Sequence, residues 1–376
     1  MGTIRKAVFW AHLAIGLLAG IVIFSMSVTG VLMVYERQIT EWVDGVEVVG
    51  TGDRLALEPL LQKYFQGKNP PSAIQLSGGM NEPVGLQFGR EMTVFLDPYS
   101  GESLGVGKTS AKRFFRWILG WHRWLGQEGA SKPVGKAIIG VGNLMFLFLV
   151  VSGLWLWFPR RWTRLGLKAI TRIQFRLKGR ARDWNWHNVF GFWACVPLFL
   201  IVVTGTIMAY PWANALIFRA VGEVAPEGGG HPTRAGEWKG QRGGGGAGTA
   251  SLAGLDAAFD EVAKSSPGWK TMQIQFRPKR QAAFTVSDSH RGRPDRRKQV
   301  TMDLATGTVV RTEVFSDQSK GRQIRGWVRW IHTGEAGGWA GQTVAGLAAA
   351  SAAVLVWTGF SLSWRRFFIR RKSKKV

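Results

Sequence analysis

The chain has 376 residues, a single cysteine and a formal charge of +25. On a soluble surface that charge would point to nucleic acid, but here the cations sit at the margins of long apolar segments, which excludes that partner and turns charge placement into a report on topology. With Cys195 alone, disulfides and thiolate metal clusters are excluded as well, so any metal chemistry rests on histidine.

Four apolar stretches, near 7–35, 134–158, 187–212 and 340–364, reach the roughly 20 residues needed to cross a bilayer. The expected fold is a membrane α-helical protein with four transmembrane helices in two repeated units, plus two small extracytoplasmic α+β modules. In chain order, the first spanning helix occupies 1–36 and the first module 37–110, followed by an interfacial helix and second spanning helix over 111–160 and a basic loop over 161–184. The third spanning helix then covers 185–213, a Gly-rich linker 214–250 and the second module 251–320. An interfacial helix and fourth spanning helix over 321–366 and a basic tail over 367–376 complete the chain. The first apolar run, preceded by Arg5 and Lys6, continues to Tyr35 without an A-x-A-type site, so it is expected to stay as an anchor rather than be removed as a signal peptide.

Between the second and third segments, Arg160, Arg161, Arg164, Lys168, Arg172, Arg176, Lys178, Arg180 and Arg182 face only Asp183. The tail adds Arg365, Arg366, Arg370, Arg371, Lys372, Lys374 and Lys375. By the positive-inside rule both termini and the middle loop are cytoplasmic, and the two long connections lie outside. Each connection has a helical run, Leu55–Phe65 or Leu252–Ala263, followed by alternating runs. These fall near 72–77, 83–88 and 92–97 in the first and near 271–277, 282–287, 298–303 and 308–314 in the second. Asp97-Pro98-Tyr99-Ser100-Gly101 and Asp303-Leu304-Ala305-Thr306-Gly307 are turn chemistry, and Glu227–Thr249 is a Gly-rich linker.

The repeat is visible in spacing. His12 is followed by Thr29-Gly30 and Tyr35 as His187 is by Thr204-Gly205 and Tyr210; His122 and His332 precede the helices that carry Ser152-Gly153 and Thr358-Gly359. Helix direction pairs His12 with His187 near the inner face and His122 with His332 near the outer face. The 17 residues from His12 to Thr29 rise about 26 Å, most of the hydrocarbon thickness. Thr29-Gly30 and Thr204-Gly205 are therefore expected near the outer pair, and Ser152-Gly153 and Thr358-Gly359 near the inner pair. Glycine leaves room for a flat macrocycle, and the hydroxyl can bond a ligand or a helix carbonyl.

Two imidazoles suit haem, which supplies four equatorial nitrogens itself. Zinc and di-iron sites want three or four close ligands, commonly with carboxylates, and no acidic residue interrupts the apolar cores. Two bis-histidine haem groups are the expectation, with His12, His187, His122 and His332 as iron ligands. The competing reading makes these histidines members of an interfacial belt and the small-residue pairs ordinary packing sites. His231 and His290 are expected to face solvent. Gly243–Gly246 lacks the Lys-Ser/Thr of a phosphate loop, no strand-flanked GxGxxG occurs, and the basic loop is too short for a flavin or nicotinamide domain, so a haem-bearing chain of this kind would take its electrons from a separate reductase or from quinol. Arg113, Arg116, Arg123, Arg325 and Arg329 are candidates for haem propionates, an anionic substrate or lipid headgroups.

Several stretches together resemble the PepSY-associated transmembrane proteins: His12–Tyr35, Trp121-His122-Arg123-Trp124-Leu125-Gly126, Ser152–Arg161, Trp186-His187 to Tyr210, and His332-Thr333-Gly334-Glu335-Ala336. The resemblance implies PepSY-like modules outside the bacterial inner membrane, b-type haem, and an oxidoreductase that reduces a ferric siderophore or other ferric chelate in the periplasm for iron acquisition. His12, His122, His187 and His332 match the family's histidine positions. The alternative is a non-catalytic PepSY membrane protein that binds peptides, restrains a protease or assists a transporter.

Overall fold

The structure is a computed structural model that describes residues 2–48, 50, 52–65, 71–79, 81–89, 92–159, 162–226 and 252–368. The Glu227–Thr249 linker with His231 and Gly243–Gly246, the arginines Arg160 and Arg161, and the tail cations from Arg370 onward lie outside the described residues. In chain order come helices α1 (Thr3–Met33), α2 (Glu36–Asp44) and α3 (Leu57–Phe65), then strands β1 (Ala73–Ser77), β2 (Val84–Phe88), β3 (Met92–Leu96) and β4 (Ser103–Val106). Helices α4 (Thr109–Trp124), α5 (Lys132–Trp157), α6 (Arg164–Thr171), α7 (Gly179–Ala209), α8 (Pro211–Ala220) and α9 (Leu255–Lys264) follow. Strands β5 (Thr271–Arg277), β6 (Gln281–Ser287), β7 (Arg297–Asp303) and β8 (Val309–Val314) then lead to α10 (Lys320–His332) and α11 (Gly338–Phe367). The chain divides into a helical unit, Met1–Glu36, Phe115–Gly229 and Val328–Val376, and a sheet unit, Arg37–Phe114 and Gly230–Trp327.

In the helical unit, four helices among the described residues are long and apolar enough to cross a membrane: Thr3–Met33, Gly129–Trp157, Gly179–Ala209 and Glu335–Phe367. They form a closed ring, since α1 packs on α5 and α11 while α7 packs on the same two neighbours. Hydrocarbon offers no hydrophobic drive between apolar helices, so close contact depends on small residues. A Cβ at Gly142 would come within 2.7 Å of Val22, and Ala194, Leu198, Ala348 and Ala352 form a buried cluster joined by Phe146 and Val150.

Two boundaries differ from the sequence expectation. Helix α7 begins at Gly179, ahead of residue 185, because Asp183 is fully buried and satisfied: Arg182 Nη2 is 2.8 Å and Arg365 Nε 3.4 Å away, and Ser361 donates to it at 2.6 Å. Part of the expected linker is instead helix α8, started by Pro211 at its first turn and anchored by buried Ala213 and Phe218.

The sheet unit also departs from expectation. The two α+β modules are joined as one eight-stranded antiparallel sheet in the order β4-β3-β2-β1-β5-β6-β7-β8. The join is the β1–β5 pair, with Ile74 opposite Ile274 and Gln75 opposite Gln273. Each four-stranded module alone would expose the edge of its first strand, and pairing those edges satisfies both rows of backbone groups. Strand β4, not expected from the sequence, extends the other edge after the Asp97 turn.

One apolar core spans the join: Ile74, Leu86, Leu96, Met272, Ile274, Phe284 and Met302 from the sheet, Leu57, Leu60, Leu61 and Phe65 from α3, and Leu255, Ala258 and Val262 from α9. Each such large side chain contributes about 1.5–3 kcal/mol when fully buried. The two helices cap each other. Asp256 accepts from the Leu57 and Glu58 amides at 2.5 and 3.3 Å, while Glu58 accepts from those of Gly254 and Asp256 at 2.9 and 3.3 Å. First-turn amides have no partner within their own helix, which is why a carboxylate from the neighbouring helix is favourable there.

Candidate functional site

The helical unit contains four histidine sockets built to one plan. His12 Nδ1 lies 2.8 Å from Ser152 Oγ, His122 Nδ1 2.9 Å from Thr29 Oγ1, His187 Nδ1 2.9 Å from Thr358 Oγ1, and His332 Nδ1 3.2 Å from Thr204 Oγ1. Each hydroxyl has one proton, and each spends it on its own helix: Ser152 on Phe148 O, Thr29 on Ser25 O, Thr204 on Leu200 O and Thr358 on Val354 O, all at 2.6–2.8 Å. The hydroxyl oxygen must then accept, so every Nδ1 carries a proton. For His332 a second acceptor, the Ile201 carbonyl at 2.9 Å, demands the same tautomer. All four Nε2 atoms are left with a free lone pair, which is the form a metal ligand needs, with the other nitrogen orienting the ring.

The glycine after each hydroxyl residue lies against the imidazole it serves. A Cβ would stand 3.3 Å from His12 Cε1 at Gly153, 3.8 Å from His122 Cε1 at Gly30, 3.3 Å from His332 Cε1 at Gly205 and 3.6 Å from His187 Cε1 at Gly359. An imidazole edge is thus among the nearest neighbours of each glycine, shared at Gly205 with Asn143 Oδ1 at 3.2 Å and at Gly30 with Ala349 Cβ at 3.8 Å.

The sockets occupy two levels. At one, His12 on α1 and His187 on α7 come from helices across the ring from each other, near enough to interact electrostatically. At the other, His122 and His332 do not belong to spanning helices: they end α4 and α10, amphipathic helices that precede α5 and α11. Their ring centres are 6.4 Å apart with the planes inclined at 67°. Burial, assisted by His332, pushes the His122 pKa down to about 4, and burial also lowers that of His332, so both rings are neutral at pH 7.

The residues expected to line the sites, Thr29, Gly30, Ser152, Gly153, Thr204, Gly205, Thr358 and Gly359, all meet a histidine, and Thr29, Ser152, Thr204 and Thr358 are buried. His290 is exposed. Of the arginines weighed with the histidines, Arg123 and Arg329 lie over Trp124 and Trp330, and Arg325 is buried in the sheet unit. Among the described residues no cluster of three or more His, Cys, Asp or Glu could hold a metal ion with protein ligands alone. Paired imidazoles are what the bundle offers.

Residues 9–366 match the family described as the PepSY-associated TM region. The chain belongs to this family. The match includes all four histidines and every spanning helix, and with the four apolar helices it makes the chain a membrane protein in contact with lipid. No curated protein matches the chain.

Two further buried polar residues of the PepSY-associated chain, Asp183 and Asn143, lie close to the sockets without being among the expected site residues. Asp183 sits four residues before His187 and bonds α7 to α11. Asn143, 4% exposed, donates from Nδ2 to the Val202 carbonyl at 3.0 Å and to Thr206 Oγ1 at 2.8 Å. A signal for Asn143 was present: it is an amide in the middle of an apolar 26-residue helix, and polar groups at such depth are costly.

Proposed function

We propose that this protein is an electron-transfer protein of the bacterial inner membrane that reduces a ferric chelate, such as a ferric siderophore, on the periplasmic side. Two b-type haems, one between His12 and His187 and one between His122 and His332, would supply one-electron chemistry when bound. The observation that carries this reading is the set of four imidazoles, each held through Nδ1 by a hydroxyl on a spanning helix, with Nε2 free. Two imidazoles that each place Nε2 about 2 Å from a shared metal have ring centres roughly 6 Å apart, and those of His122 and His332 are 6.4 Å apart. A belt of interfacial histidines has no reason to repeat one tautomer and one glycine contact four times.

The chain's own part is to keep the rings neutral and oriented and to exclude water from them. Orientation follows from Arg164, Lys168, Arg172, Arg176, Lys178, Arg180 and Arg182 between the second and third spans, which favours a cytoplasmic loop and a cytoplasmic start to α1. The His12–His187 level then faces the electron donor, a separate reductase or quinol, and the His122–His332 level faces the periplasmic acceptor. Hard oxygen donors hold Fe(II) less tightly than Fe(III), so reduction of the chelate releases iron.

The test is optical. Full-length protein purified in detergent from haem-replete cells should carry two haems, bleach and sharpen with dithionite, and return to the oxidised spectrum when a ferric hydroxamate or catecholate is added under argon. Colourless protein overturns the haem reading. Haem that no ferric chelate reoxidises overturns ferric reduction and leaves a relay to another acceptor.

A further inference from the structure

Asn143 has no part in the four-socket plan, yet it is bonded to the turn of α7 that holds His332. Its two amide protons go to Val202 O and Thr206 Oγ1. Of the two acceptors of His332 Nδ1, Thr204 lies inside that turn and Ile201 immediately precedes it. On the other side of Gly205, Asn143 Oδ1 is 3.2 Å and His332 Cε1 3.3 Å from where a Cβ would be.

The equivalent socket lacks this clamp. Asn143 lies nine residues before Ser152, and the residue nine before Thr358 is Ala349. At Gly30 a Cβ would meet Ala349 Cβ and His122 Cε1, both at 3.8 Å, a looser fit in which the methyl group of Ala349 can make no hydrogen bond. The α1 residue in the place of Thr206 is Val31, which could not accept one. On α11 the buried amide is Gln342, which donates to the Val34 carbonyl at the C-terminal end of α1 at 2.7 Å. Both amides tie spanning helices together, and the difference lies in where they bond: Asn143 inside the turn that carries an acceptor of His332, Gln342 at a helix end.

We propose that Asn143 is a positioning residue for His332: by clamping the Val202–Thr206 turn to α5 it fixes the Ile201 carbonyl and Thr204 hydroxyl that orient the imidazole, and so makes His332 the stiffer ligand of the His122–His332 site. The proposal rests on the reading of His332 as a haem ligand and adds an asymmetry to it.

The experiment compares wild type, Asn143→Ala and Thr206→Val as full-length proteins in detergent. Haem transfer to apomyoglobin should show two phases in wild type, and loss of an orienting partner should speed one of them by about 10–100-fold. The unchanged phase, together with an altered low-spin EPR signal from one haem only, should assign the effect to the His122–His332 site. Thr206→Val, which removes one of the two clamp bonds, should fall between wild type and Asn143→Ala. Equal acceleration of both phases, or of neither, overturns the proposal, the first outcome making Asn143 a packing residue of the whole bundle.

The same proteins free of haem provide a second readout. Carbethoxylation of His332 relative to His122, followed by mass spectrometry, should rise in Asn143→Ala, and an unchanged ratio overturns the clamp. Absence of haem from the wild type would count against the proposed function alone, because this second readout needs none.

Discussion

The two units of the molecule treat buried polarity in opposite ways. In the sheet unit the core against the sheet is apolar, and a buried carboxylate such as Asp97 closes a turn, accepting from the Tyr99 and Gly50 amides at 2.8 and 3.1 Å. In the helical unit buried hydroxyls, the amides of Asn143, Asn185 and Gln342 and the Asp183 carboxylate are set into the helices, and four of the hydroxyls meet imidazoles. An apolar core under a sheet is enough to explain stability. Polar groups inside a lipid-facing bundle are costly, and their placement beside the four imidazoles is the ground for the proposed site in the helical unit.

The strongest way to break that contrast is to remove ligands. His122→Ala with His332→Ala should lower bound haem from two per chain to one, as should His12→Ala with His187→Ala, measured by pyridine haemochrome against protein; retention of both haems would relocate the ligands. Next in size, Ile274→Ala at the β1–β5 join should cost about 2–5 kcal/mol by leaving a cavity in the sheet core, read as earlier denaturant unfolding of the sheet unit with the haem spectrum unchanged. A coupled loss of haem would show that the units are not energetically separate.

Smaller effects sharpen the comparison. Thr29→Val or Thr358→Val should leave the ligand in place but weaken haem retention by about 10–100-fold, because the imidazole loses the partner that fixes its tautomer. In the sheet unit, Asp256→Ala should cost about 0.5–2 kcal/mol through loss of the α3 cap, with no optical change. The smallest effect concerns pH. The hydrogen bond from Arg293 holds the Asp295 pKa below its ordinary 3.8, so the pair's stabilisation is present above that pH and fades as pH falls through the lowered value. Asp295→Asn should therefore flatten the acid limb of the sheet unit's stability curve slightly, and an identical limb would show that solvent screens the pair completely.

Much of this was legible in the residues. Four apolar runs of bilayer length, helical and alternating patterns outside them, and the spacings His12–Thr29 and His187–Thr204 are local features, and local periodicity reports secondary structure and helix depth directly. Depth and direction were enough to place each Ser-Gly or Thr-Gly pair at the level of the histidine that it meets. The merger of the modules was not legible, since edge strands look alike in sequence whether they pair with one another or with nothing. The early start of α7 was hidden because Asp183 and Arg182 read as loop charges until Ser361 and Arg365, nearly 180 residues away in the chain, are brought beside them.

By itself, then, the sequence determined which segments can lie in lipid and which histidines share a level, because hydrophobicity and helical rise are properties of short stretches. Only the tertiary structure decided the tautomer of each histidine, the single sheet and the unequal sockets around His122 and His332. Those depend on which atom of one helix comes within hydrogen-bond distance of another, and distant residues such as Asn143 and Thr206 acquire that relation only when the bundle closes.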